Sequence, residues 1–462
     1  MNTRIMWKLM GELSRLRRHE NWSRHQLVAT QADRLHRLRE FAYARSPFYQ
    51  RFHKGLTDHP LGELPVLTKA QLMESFDELV TDRAVRLEDL RAHLAGDNDG
   101  RRYLNRYWVN ATSGSSGEPG IFLFDEKEWV MVLASFARAH EWAGVRVSLT
   151  HRMKMASIAS VSPWHMSAQV GATLKSRWMP ALRMAASEPV PQLVSRLNAW
   201  QPEMLVAYAS MARILAEEQL AERLQIHPHL VFTSSEVLTD ATRRRAQAAW
   251  GHPPFNQYGA TEVGDLAAEH DICRRMHLFE DLIFVEIVDD ENRPVTPGEF
   301  GAKLLVTSLF GRTLPLVRYE LNDRVRLAPE PSPCRLPFAV LDGIQGRTED
   351  MLQLAAVGGG TIGIQPLVVH RIMDILPISG WQVVRSAPDE LTVLLSGLRD
   401  GLAEMMIAER LRGALAAAGA VAPRVAILRV EAIPQGGSGK TTLIQNYQPP
   451  GPISTQAEGS QR

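Results

Sequence analysis

The strongest constraint on the fold of this 462-residue chain is an alternation in its middle. Between about residues 107 and 345, short apolar runs ("MKMASIASV", "MLVAYAS", "HLVFTSS") are each followed by a helical pattern or a polar loop. Short runs that stay apolar throughout read as strands buried on both faces, and helices between them imply parallel pairing. The expected fold is therefore α/β, with a large N-terminal domain built on parallel-rich sheets. The pattern changes at "LIFVEIVDDENRPVTPGEFGAKLLVTSL", where strand, turn and strand predict a small antiparallel, β-barrel-like part. Further on, "TEDMLQL", "GWQVVRS", "ELTVLLSG" and "RVAILRVEAI" read as strands, with a helix at about 403–418. The expected division is a large domain over 1–345, a smaller mobile α+β domain over 346–448, and a disordered tail over 449–462, "PPGPISTQAEGSQR".

Charge and cysteine content narrow the class. Lys and Arg number 52 against 51 for Asp and Glu, a balance with no general pull toward nucleic acid or a membrane surface. No run approaches the roughly 18 apolar residues of a membrane span, and the N-terminus lacks the pattern of a signal peptide. The two cysteines, Cys273 and Cys334, form no disulfide framework and suit a reducing compartment, so a cytoplasmic protein is expected. Residues 5–55 read as amphipathic helix, with Leu27, Leu35, Leu38 and Phe41 at helical spacing among arginines and histidines. That basic side reads first as a solvated face and second as a contact for an acidic partner. In "LPVLTKAQL" a helix start is predicted, with Thr68 as N-cap.

Six stretches carry chemistry. In "NATSGSSGEPG" (residues 110–120), small residues let backbone approach an anion, and Thr112, Ser113, Ser115 and Ser116 add hydroxyl donors beside Gly114 and Gly117. A polar hairpin is the plainer reading. "VFTSSEVLT", with Ser235 and Glu236, and "FNQYGATEVG", with Tyr258, Gly259, Ala260, Thr261 and Glu262, are expected at the C-terminal edge of the parallel sheet. That edge is where such sheets bind ligands. Tyr258 offers a flat ring, Thr261 a hydroxyl and Glu262 a hard oxygen suited to Mg²⁺; a turn with a capped helix is the alternative. In "PLVRYELNDRVRL", Asp323 offers a carboxylate for two ribose hydroxyls, or else pairs with Arg318. "IQGRTEDML", with Arg347 and Glu349, is a polar, glycine-containing break where a hinge is expected. Last comes "PQGGSGKTT". It resembles a Walker phosphate loop, but Pro434 stands at the first glycine position and only 22 residues follow Lys440. It reads better as a flexible arm carrying Lys440 into another domain's site.

In this order and spacing, the motifs resemble the signature of the adenylate-forming acyl-CoA synthetase superfamily. Within it, they look most like the phenylacetate–CoA ligase branch, over about residues 40–447. The resemblance implies an ATP-dependent ligase that activates a small-molecule carboxylic acid, aromatic or of medium size, as acyl-AMP. The acyl group then passes to a thiol, with coenzyme A the first expectation. It implies that Thr112, Ser113, Gly114, Ser115, Ser116 and Gly117 cover the β,γ-phosphates. Ser235 and Glu236 would lie near adenine, Tyr258 would stack on it, and Gly259 and Ala260 would complete that loop. Thr261 would meet the α-phosphate, Glu262 would hold Mg²⁺, Asp323 would bind the ribose with Arg347 nearby, Glu349 would be the hinge, and Lys440 would reach the reacting oxygens. The stretches that usually wall the acyl pocket contain Trp164, His165, Tyr208 and Met211, with core packing the plainer reading for the last two. Some relatives carry structural zinc, and Cys273, His277 and Cys334 retain three of its positions, with Ser332 in place of a cysteine. A homodimer is a further expectation. Two departures keep alternatives open. Glu118 replaces a common lysine, and the segment after the hinge, "QLAAVGGGTIGIQPLVVHRIMDILP", is unlike the usual one. The alternatives are transfer to a carrier-protein thiol or an amine, and a catalytically inactive nucleotide- or acyl-binding protein.

Overall fold

The computed structural model describes residues 3–96, 100–112, 119–145, 152–174, 176–332, 334–376, 378, 380–398, 404–431, 433–434 and 443–446. The chain divides into two compact units after Glu349.

The first unit is organised by a nine-stranded sheet. Its order is Asp323–Leu327, Val340–Arg347, Met276–Leu278, Gly264–Glu269, Phe255–Ala260, Leu230–Ser234, Met204–Tyr208, Met155–Ala159, Ala181–Ala185. The last five pair in parallel, as the alternation predicts. Their side chains, such as Ile158, Leu205, Ala207 and Val231, are buried, with helices Val190–Trp200, Ala209–Leu220 and Asp240–Trp250 returning the chain between strands. At Tyr258 the sheet changes sense, and the next four strands pair antiparallel. Gly264 permits this reversal. Its φ is +85°, and a Cβ there would lie 3.0 Å from Ser135 Oγ. The expected small antiparallel part is a three-stranded sheet, Ile283–Val288, Lys303–Ser308 and Tyr319–Leu321.

The N-terminal helical stretch is three helices rather than one, Thr3–His19, Arg24–Arg45 and Pro47–Phe52. Ser23 starts the second by accepting from Gln26 N in a reciprocal capping box, and Pro47 at the first turn of the third cannot continue the second. Thr68 caps helix Lys69–Glu74. Helix Glu126–Trp142 carries Arg138, whose two terminal nitrogens grip Asp281 at 2.9 and 2.7 Å, while His19 Nδ1 lies 2.6 Å from the same carboxylate. Burial alone would raise the Asp281 pKa, but the Arg138 charge and His19 hold it well below the carboxylate range. This ion cluster ties the N-terminal helices to the sheet. Among the described residues no helix is long and apolar enough to cross a membrane.

The second unit has a four-stranded sheet, ordered Arg424–Val430, Glu390–Ser396, Gly380–Ala387, Ile444–Gln445. Trp381, Val383, Leu391 and Val393 are buried in its core with Leu411 of helix Glu404–Ala417. The segment that departs from the usual pattern folds as strand Thr361–Ile364, paired with Leu352–Ala355, and helix Pro366–Met373.

His53, at the end of helix Pro47–Phe52, is 3% exposed, and its Nε2 has no hydrogen-bond partner among the described residues. Burial, then the Arg39 charge, lower its pKa from 6.5 to about 4. The unfolded chain binds this proton more readily, so the neutral ring's contribution is complete above pH 6.5 and is lost as pH falls toward 4. His53→Leu should flatten the fall in unfolding free energy over that window by up to about 3 kcal/mol. A slope unchanged in the variant would contradict the assignment.

Candidate functional site

Three neighbouring parallel strands end side by side, and their C-terminal loops carry the predicted residues. The strand Met204–Tyr208 runs directly into helix Ala209–Leu220. After Leu230–Ser234, Ser235 adopts a left-handed φ of +67° and turns the chain back. Glu236 then accepts from Ser210 N at 2.8 Å, placing its carboxylate on the first turn of that helix, where the helix dipole favours it. After Phe255–Ala260, a tight turn presents Thr261 and Glu262. Gly259 is exposed, and Ala260 and Thr261 are half-buried.

Asp323 lies directly across the sheet from Arg347. Tyr258 donates its hydroxyl to Asp323 Oδ2 at 2.8 Å, and Arg347 Nε stands 3.5 Å from Oδ1. Tyr258 and Asp323 are 9% and 8% exposed. Burial, reinforced by Asp323, pushes the Tyr258 phenol well above its ordinary pKa, so it stays a donor. Glu262 is also buried, and burial raises its pKa against the opposing charges of Arg347 and Lys69. Among the described residues it has no ion pair.

Arg318 is not Asp323's partner. Its guanidinium is buried, pairs with Glu286 at 3.0 Å, and donates to the carbonyls of Gly62 and Leu64. It therefore anchors the N-terminal segment, and Asp323 is left for Tyr258 and Arg347.

Trp108–Ala111 and Ile121–Phe124, which flank the glycine–serine stretch in sequence, pair antiparallel as a hairpin. Thr112 closes its base, donating its N–H to Gly120 O at 2.9 Å and accepting Gly120 N on Oγ1 at 2.8 Å. Ser113, Gly114, Ser115, Ser116, Gly117 and Lys440 lie outside the described residues. Glu349 falls in the short helical turn Thr348–Asp350, where the two units divide. Lys69, which sequence reading passed over, runs under this hairpin. A Cβ on Gly120 would lie 3.6 Å from Lys69 Cε, and the Lys69 charge also acts on Glu262. The only trace of it in the sequence is its place just after an N-cap, which explains it without a function.

Two of the expected acyl-pocket residues meet. Tyr208 OH accepts Ser160 N at 2.8 Å, and Ser160 Oγ lies 2.6 Å from His165 Nδ1. Burial raises the Tyr208 phenol to about 12. Trp164 stands apart from this chain, its ring 5.3 Å from His93 and its carbonyl accepting Ala111 N. Met211 is buried core, 3% exposed.

The two cysteines, expected as separate thiols, are joined as a disulfide with Cα atoms 6.0 Å apart. His277 Nε2 lies 3.3 Å from Cys273 Sγ and 3.5 Å from Ser332 Oγ. Among the described residues, the side-chain group with metal-binding spacing is Cys273, Cys334 and His270, with His270 where sequence reading had placed His277.

No family model matches the sequence. Curated proteins do. The chain is 24% identical over 384 residues to the phenylacetate–coenzyme A ligase of Thermus thermophilus, covering 79% of each chain. It is 25% identical over 359 residues to that of Escherichia coli, covering 73% of this chain and 75% of the relative. Among solved structures, a 2-hydroxyisobutyryl-CoA ligase in its postadenylation state, in complex with R3-HIB-AMP, superposes with a TM-score of 0.70 at 19% identity, over 93% of this chain and 92% of that one. The fold is that of the adenylate-forming CoA ligases, and the sequence is similar to their phenylacetate–CoA ligase branch.

Tyr258→Phe removes one donor from a buried carboxylate and should cost about 2 kcal/mol of stability in chemical denaturation. An unchanged midpoint would contradict the Tyr258–Asp323 bond.

Proposed function

We propose that this chain, with the fold of the adenylate-forming ligases and a sequence like their phenylacetate–CoA branch, is an ATP-dependent acid–thiol ligase. A carboxylate oxygen of the substrate attacks the α-phosphorus of ATP, the bond to pyrophosphate breaks, and acyl-AMP forms. A thiol sulfur then attacks the acyl carbon and loses its proton, and AMP leaves with the former carboxylate oxygen. Coenzyme A is the thiol named for the relatives.

The observation that carries this reading is the fixed Asp323 carboxylate beside a buried Glu262 that has no ion pair among the described residues. A carboxylate offers about four lone-pair positions. With Tyr258 on one oxygen and Arg347 near the other, Asp323 keeps acceptors for a ribose diol. Tyr258, Gly259 and Ala260 form the adenine wall with Ser235 and Glu236, and Thr261 meets the α-phosphate. Thr112 and the loop after it cover the outer phosphates, with Lys69 beneath them as a further cation.

Glu262 fits Mg²⁺ as a buried hard-oxygen donor with no competing ion pair among the described residues. Mg²⁺ held there would supply charge stabilisation for the phosphates as pyrophosphate leaves. Lys440 reaches the α-phosphate and acyl oxygens, with Glu349 as the hinge. His165 and Tyr208 wall the acyl pocket, and an aromatic or medium-size acid suits them. We also read the protein as cytoplasmic and as a homodimer.

Zinc remains a proposal for the cysteine corner. As a disulfide, Cys273 and Cys334 are not metal donors; reduced, they form a three-donor set with His270, and His277 stands alongside. Denatured, unreduced protein should release about one zinc per chain with two titratable thiols if zinc holds the corner. No zinc and no free thiol would leave the disulfide alone.

Acid-dependent pyrophosphate–ATP exchange across a panel of carboxylic acids, with and without coenzyme A, tests the function. Exchange with at least one acid is expected, and none with any acid, from folded protein, would overturn it. Lys440→Ala should lower that exchange by roughly 100-fold or more while ATP affinity changes little, as for removal of one charge-stabilising donor. Unchanged exchange would remove Lys440 from the mechanism.

A further inference from the structure

The basic N-terminal helices leave a feature that the ligase reaction does not use. A cavity of about 530 Å³ lies in the first unit, between helices Thr3–His19, Arg24–Arg45 and Glu126–Trp142 and the loop after strand Lys303–Ser308. It shares no residue with the adenylation site. Its floor is apolar, formed by Val130, Met131, Leu309 and Phe310.

The charges around it do not cancel. Asp281 is consumed by Arg138 and His19. Glu128 accepts the backbone N–H groups of Asp125, Arg312 and Thr313 and the Thr313 hydroxyl. Glu12 is paired with Arg15. Three cations remain: Arg34, Lys127 and Arg312, none of which forms an ion pair among the described residues. Among the described residues, Arg34 donates to the Asp281 carbonyl. Arg312 donates to the Gly311 carbonyl and stacks over Phe41 at 5.4 Å. Both are half-buried. Burial, and then the neighbouring Arg15 guanidinium, push Arg34 below its ordinary pKa, and burial does the same to Arg312. Asp281, Glu12 and Asp33 offset part of the Arg34 charge, and Glu128 part of that of Arg312. Cations that line a half-enclosed space without an ion pair still cost free energy that an anion would relieve.

We infer that this cavity is a second ligand site, which binds a small amphiphilic anion. The head is a carboxylate, sulfonate or phosphate monoester held by Arg34, Arg312 and Lys127, and the apolar body lies on Met131 and Phe310. The volume suits a molecule of that size.

The probe is 8-anilinonaphthalene-1-sulfonate, titrated by fluorescence into the full chain. N-phenyl-1-naphthylamine, the same body without the charge, is the control. One saturable site for the sulfonate is expected. Arg34→Gln and Arg312→Gln should each weaken it by about ten-fold, the scale of one charge-assisted hydrogen bond, and leave the neutral probe unaffected. Lys127→Gln, at an exposed position, should weaken it several-fold. Monomeric decyl phosphate should displace the probe. Equal binding of both probes, or sulfonate affinity unchanged in all three variants, would overturn the inference. So would displacement by phosphatidylglycerol vesicles but not by decyl phosphate, which would assign the cations to a lipid surface.

Discussion

The candidate site depends on one buried carboxylate. Asp323 is charged chemistry in a nearly dry place, which is costly unless donors converge on it. Tyr258 supplies one from the strand where the sheet changes from parallel to antiparallel. Arg347 supplies the other from the strand register directly opposite. Three segments far apart in sequence are thereby fixed to one another, and the loops that follow Tyr258 and precede Asp350 inherit their positions. The change of sense in the sheet is thus more than topology. It brings the end of a parallel strand, with its exposed loop, against the edge that carries the acid.

The same logic of paired burial recurs at the Arg138–Asp281–His19 cluster, which fastens the N-terminal helices. Arg318 with Glu286 does likewise for the segment around Leu64. Both are closed ion pairs and serve position. Glu262 differs, being buried without an ion pair among the described residues, and the proposed Mg²⁺ ligation rests on that.

Much of the fold was legible because buried strands announce themselves. "MKMASIASV", "MLVAYAS" and "HLVFTSS" became neighbouring parallel strands, and the loops after them lie where such sheets place ligands. Less legible was anything set by partners distant in sequence. Arg318 and Asp323 are five positions apart yet turn to different neighbours, and no local pattern encodes that. The N-terminal stretch was read as helix from the spacing of Leu27, Leu35, Leu38 and Phe41, which does not register that Ser23 and Pro47 break the hydrogen-bond ladder locally. Lys69 was invisible because a residue after an N-cap has a sufficient local reason to be polar. The cysteines were read by compartment, which says nothing about whether two sulfurs meet.

The central claim is that the substrate's own carboxylate attacks the α-phosphorus at this site. The most direct measurement is isotope transfer, using an acid that supports exchange, labelled with ¹⁸O in both carboxyl oxygens, and turned over with ATP and coenzyme A. The account predicts one labelled oxygen in the AMP released. Label in inorganic phosphate, or unlabelled AMP alongside thioester, would contradict it.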